Sequence, residues 1–131
     1  MPDYPRQDVE KITKLESTLQ QLEERVKFLE ERIELLIEIA DPEKDPFVHL
    51  ALEVGLTKDQ IEKILDLMDK VRKEINAGKS VSHHQFESKI YEIVPSRYGD
   101  YKFAEAIVLT LKEVGKYEDV YEYMKKNGMN I

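Results

Sequence analysis

The first third of the chain alternates apolar spacings of three and four through Ile12, Leu15, Leu19, Leu22, Val26, Leu29, Ile33, Leu36 and Ala40. This heptad register predicts one coiled-coil helix over residues 1–40. With Ile12 at position a, the a positions are Ile12, Leu19, Val26, Ile33 and Ala40, and the d positions are Leu15, Leu22, Leu29 and Leu36. Mostly β-branched a residues with uniform Leu at d favour a parallel two-stranded coil. Leu19 and Ala40 at a weaken that preference and keep a trimer as the alternative. The e positions Glu16, Glu23 and Glu30 are acidic, whereas g positions Lys11, Arg25 and Arg32 are basic and Thr18 is neutral. A parallel pair matches Lys11 with Glu16 and Arg25 with Glu30; an antiparallel pair opposes like charges. Each exposed pair contributes at most about 1 kcal/mol, so the charges select orientation more than they stabilise.

A helix folded back on its own domain could also carry an apolar stripe. A strict seven-residue period, however, drifts off one face of a straight helix unless the helix supercoils. Towards the C-terminal end the apolar face widens, with Phe28 and Leu35 at c, Ile37 at e and Ile39 at g. Residues 6–27 therefore read as oligomer seam, and residues 28–40 as seam that also docks on the following domain.

Asp41-Pro42 to Asp45-Pro46 ends this helix, because a residue before proline is biased out of the helical region. Residues 41–131 then read as a second, helical domain. Asp45 caps a helix over 46–54 that carries Phe47, Leu50, Ala51 and Val54 and closes at Gly55. Thr57 to Gln60 matches a capping box opening a helix through Ile61, Ile64, Leu65, Met68, Val71 and Ile75, ended by Gly78. Ser82-His83-His84-Gln85 matches a second box, ahead of Phe86, Ile90, Ile93 and Val94, and Pro95 stops that helix. Asp100 caps the most apolar helix, from Phe103 to Val114, which is expected at the centre of the core because its apolar residues spread over more than one face. A last helix over 117–127 presents Val120, Tyr121 and Met124. The expected fold class is all-α: a long N-terminal coiled-coil helix followed by a compact bundle of five short helices.

From Arg32 onward the pattern resembles the YhaI-like family, small all-helical bacterial proteins of unassigned function. The resemblance rests on Arg32-Ile33-Glu34, Asp45-Pro46-Phe47 with Leu50 and Leu52, Gly55 to Gln60, Ser82 with Phe86, and Glu113 to Asp119. These are helix boundaries and core positions, so the resemblance implies a fold and names no chemistry.

Composition narrows the function classes. With no Cys among 131 residues there is no disulfide framework, thiolate zinc site or cysteine nucleophile. No apolar run approaches the roughly 20 residues that span a bilayer, and Met1-Pro2-Asp3-Tyr4-Pro5 lacks the pattern of a signal peptide. A cytoplasmic location is expected. The net charge of -7 is uneven: residues 1–40 hold 6 Lys/Arg against 10 Asp/Glu, residues 41–77 hold 6 against 9, and residues 78–131 hold 8 against 8. No basic stripe of the kind that neutralises phosphates is present, and the Arg97, Tyr98, Tyr101, Lys102 window reads as a turn between helices.

Three groups of residues invite a chemical reading. His83, His84 and Glu87 are metal-ligand types, but adjacent histidines on a helix are expected to direct their rings apart, so no metal site and no cofactor are expected. His49 reads as a helix residue and not as a catalytic base. Paired carboxylates such as Glu23-Glu24 lie on a solvated helix and diverge, and no phosphate loop, nucleophile elbow or zinc-protease motif occurs. An enzyme is not expected. Tyr117, Tyr121 and Tyr123 near the end of the chain form the candidate partner surface, since Tyr is enriched at interfaces.

The functional expectation is a non-enzymatic homo-oligomer, joined through Ile12, Leu15, Leu19, Leu22, Val26, Leu29, Ile33 and Leu36, that displays repeated surfaces to another protein. The alternative is a dimeric transcriptional regulator touching nucleic acid with residues 56–77. The mixed charge of that segment, Asp59, Glu62, Asp66, Asp69 and Glu74 against Lys58, Lys63, Lys70, Arg72 and Lys73, argues for a solvated face. A small-molecule pocket between helices is a third reading.

Overall fold

The computed structural model describes residues 5–39 and 43–131. Met1 to Tyr4, the a-position residue Ala40 and the Asp41-Pro42 helix stop lie outside them. The described residues form six α-helices, one 3-10 turn and no strand. The chain divides into two units, Met1–Ile39 and Ala40–Ile131.

The first unit is helix α1, Arg6–Ile39. Its Glu, Lys, Leu and Gln content favours a helix, and no Gly or Pro interrupts it. The Pro5 carbonyl accepts from the Asp8 and Val9 N–H groups at 2.9 and 3.2 Å, and Arg6 pairs with Glu10 one turn on at 3.6 Å.

The second unit begins with α2, Pro46–Val54. Asp45 Oδ1 accepts from the Val48 N–H at 3.0 Å, and Pro46 sits where a free N–H would be surplus. Gly55 ends the helix at φ 78°, returning its N–H to the Ala51 carbonyl. Helix α3, Lys58–Asn76, opens with the full capping box: Gln60 N–H donates to Thr57 Oγ1 at 3.1 Å, and Thr57 N–H to Gln60 Oε1 at 3.0 Å. The Gln60 side-chain amide also donates to the Ile93 carbonyl at 3.3 Å, so one residue caps α3 and fastens it to the end of α4, His83–Ile93.

The second expected box forms only in part. Ser82 Oγ accepts from the His84 N–H at 3.2 Å, one residue short of Gln85, while exposed Gln85 lines the groove between α3 and α4 instead of reaching back. Pro95 stops α4 and starts a 3-10 turn, Pro95–Arg97. Asp100 then caps α5, Tyr101–Glu113, accepting from the Phe103 N–H at 3.1 Å. The last helix, α6, spans Glu118–Lys126.

Helix α5 is the centre of this unit, packed against α2, α4 and α6, while α3 packs on α4 and α6. Ala104, Ile107, Val108 and Leu111 of α5 are wholly buried among Ile64, Met68, Phe86, Ile90, Val120 and Met124. Each of these side chains larger than alanine contributes about 1.5–3 kcal/mol through its removal from water. Val81 and Met129, just outside helices, complete the core at 7% and 3% exposure. No buried side-chain polar atom lacks a hydrogen-bond partner among the described residues.

Candidate functional site

Each turn of α1 presents one or two residues of the heptad face. Ile12, Leu15, Leu19, Leu22, Val26, Leu29, Ile33 and Leu36 are between 48% and 68% exposed. Large apolar residues scattered singly over a surface need no explanation, but a contiguous stripe of them marks an interaction face. A solitary helix also gains little from propensity alone, since most helical stability comes from packing an amphipathic face. Both arguments apply to the same residues.

Glu16, Glu23 and Glu30 run along one flank of that stripe, and Lys11, Thr18, Arg25 and Arg32 along the other; all are exposed. Phe28, 53% exposed, and Leu35, 59%, lie at c, on the far side of the basic g row from the d positions. The Arg32 guanidinium lies 5.1 Å from the centre of the Phe28 ring, covering part of it.

Of the three tyrosines of the candidate partner surface, Tyr117 and Tyr121 are buried in the helical unit and Tyr123 is half-buried. Tyr117 is 9% exposed and Tyr121 7%. Tyr117 precedes α6 with φ 58°, a left-handed conformation uncommon for an aromatic residue. Its hydroxyl donates to Asp69 Oδ1 of α3 at 2.6 Å, and the Arg72 guanidinium sits 4.4 Å over its ring. Burial, followed by the hydrogen bond to Asp69, pushes the Tyr117 hydroxyl up to about 12. Lys112 and Lys125 cover the Tyr121 ring. Tyr123 is half-buried, and its hydroxyl accepts from the Val81 N–H at 2.9 Å. All three act as ties between α6 and the rest of its unit.

The ring directions expected for the two histidines are corrected. The His83 and His84 rings stand 4.0 Å apart, tilted by 39°. Both rings approach Glu87, one turn along: His83 Nδ1 is 3.2 Å from its Oε1 and His84 Nδ1 is 3.5 Å from its Oε2. At the first turn of a helix, adjacent side chains can bend back over the same following turn, which idealised angular spacing does not capture. His49 is mostly buried and lies 3.4 Å from Glu53.

A groove of about 380 Å³ runs between α3 and α4, floored by Leu67, Val71 and Phe86 and rimmed by Lys70, Lys89, Glu74 and Glu92. Its rim carries both signs of charge. On α3, Lys63 pairs with Asp59 at 3.1 Å and Arg72 with Asp119 at 3.2 Å. None of the described helices is long and apolar enough to cross a membrane.

The architecture defines an all-helical protein with one long amphipathic helix and one compact helical unit. Residues 19–127 match a family described as protein of unknown function, DUF1878, and the chain belongs to that family. The match starts at Leu19, so it takes in the later heptads as well as the helical unit. No curated protein and no solved structure matches the chain.

Proposed function

We propose that this protein is a non-enzymatic homo-oligomer that assembles by pairing α1 with α1 of a second copy, in parallel and in register, and displays its helical units to another protein. The observation that carries this reading is the continuous heptad face from Ile12 to Leu36, about half exposed on a 34-residue helix. Parallel pairing converts that face into a core of a and d layers and places Lys11 against Glu16 and Arg25 against Glu30. β-branched Ile12, Val26 and Ile33 at a with Leu at every d support two strands. Repeated display of one surface raises avidity for a multivalent partner without strong single contacts. The grouping with YhaI-like bacterial proteins belongs to the same reading and rests on the helix-boundary motifs.

Because the chain has no cysteine, one introduced thiol reports the orientation. Leu15→Cys lies near one end of the seam. In a parallel pair the two thiols meet within the roughly 7 Å that a disulfide allows between Cα atoms. Mild oxidation is then expected to yield a covalent dimer; an antiparallel pair holds these thiols at opposite ends and yields none.

A further inference from the structure

We propose that His83, His84 and Glu87 at the start of α4 form a binding site for one divalent transition-metal cation, of which zinc is the type. One ligand atom from each of the three lies within 4.8 Å of the other two. In a tetrahedral zinc centre with bonds of about 2.0–2.1 Å, neighbouring ligand atoms stand about 3.3 Å apart. His83 Nδ1 to Glu87 Oε1 at 3.2 Å already matches that edge, while His84 Nδ1 stands 3.5 Å from the other carboxylate oxygen, Oε2. With Oε1 as the carboxylate ligand, His84 is the side chain that has to move, towards that oxygen and towards the His83 ring.

The side chains differ in freedom in a way that permits this closure. Glu87 is 12% exposed and His83 22%, so packing holds both, whereas His84 is 79% exposed and can swing inwards. The His83 ring lies beside Gly128, where a Cβ would make ordinary van der Waals contact with His83 Nε2 at 3.5 Å. The sheltered Glu87 carboxylate has the two imidazoles as its ion-pair partners among the described residues. Those rings can satisfy it as N–H donors, or share a cation with it through their lone pairs.

Two nitrogens and one carboxylate suit zinc, nickel or copper better than calcium or magnesium, which take oxygen ligands. The positive end of the α4 dipole opposes a cation here, and the negative charge of Glu87 offsets it. Three protein ligands leave a coordination position for water or an external donor, as in exchangeable zinc sites.

The test uses the full chain, cobalt(II) chloride as a spectroscopic probe and zinc chloride in calorimetry. We expect one cation per chain, visible cobalt bands of tetrahedral strength that zinc displaces, and affinity lowered about tenfold or more by H84A and by E87Q. H84A alters an exposed side chain and leaves the Ser82 cap in place, so it remains readable if E87Q perturbs α4. Absence of saturable binding by the parent chain, or equal affinity in parent and H84A, would overturn the site. Neither result bears on assembly through α1, which molar mass reads separately.

Discussion

The hydroxyl of Tyr117 donates to the carboxylate of Asp69 at 2.6 Å, joining the start of α6 to the middle of α3. This bond holds an aromatic residue at positive φ, a conformation that costs on the order of 1–3 kcal/mol and persists where its surroundings over-determine it. Ring burial, the Arg72 guanidinium and the hydrogen bond together supply that determination.

Tyr117→Phe should therefore lower stability by about 1 kcal/mol, read from the midpoint of urea unfolding. The same residue sets an alkaline limit. Its hydroxyl titrates at about 12 when folded against 10.0 unfolded, so the folded state keeps its proton over a range in which the unfolded state loses it. The resulting stabilisation is complete below pH 10 and is lost as pH rises towards 12. In Tyr117→Phe the decline over that window should be shallower.

Thr57→Ala removes the oxygen that accepts from the Gln60 N–H and should cost about 1 kcal/mol in the same assay. Gln60→Ala should cost more, because the Gln60 side chain serves both the Thr57 N–H and the Ile93 carbonyl. A double substitution should show coupling, since the two residues share one box.

Core and seam substitutions should differ in kind as well as in size. Leu111 is wholly buried on α5, and Leu111→Ala should destabilise the helical unit by about 2–5 kcal/mol. Leu29 is 51% exposed on the heptad face proposed as the seam. Leu29→Ala should instead make the helicity of α1 more dependent on protein concentration, because its cost falls on association. Far-UV circular dichroism over a dilution series separates the two effects.

Charge reversal tests orientation without touching the seam core. Glu16→Lys with Glu30→Lys sets Lys11 against Lys and Arg25 against Lys in a parallel pair, so association should weaken at low salt and recover as salt screens the repulsion. In an antiparallel pair, the reversed e positions would still face one another as like charges and association would change little.

Helix boundaries were legible where the signal is local. Asp45-Pro46, Thr57 with Gln60, and Asp100 act through hydrogen bonds within three residues, and each caps the helix the spacing predicts. The central place of α5 followed from its apolar breadth. Tyr117 was hidden because neither its left-handed backbone nor its partner Asp69 leaves a mark in local spacing. Composition suggests an interface for Tyr117, Tyr121 and Tyr123, whereas tertiary packing buries Tyr117 and Tyr121 in the core and leaves Tyr123 half-buried against it. The convergence of His83 and His84 on Glu87 was missed for a related reason: angular spacing describes where a side chain leaves a helix, and a long side chain in the first turn can return towards the next.

The most direct measurement is the molar mass of the full chain by light scattering, beside a Leu22→Glu, Leu29→Glu variant that places charge in two d layers. The account predicts an oligomer, with a dimer favoured by the a and d residues, and a monomer with a folded helical unit for the variant. A monomeric full chain at tens of micromolar would contradict the central claim, because the exposed heptad face of α1 would then have no second copy to cover it.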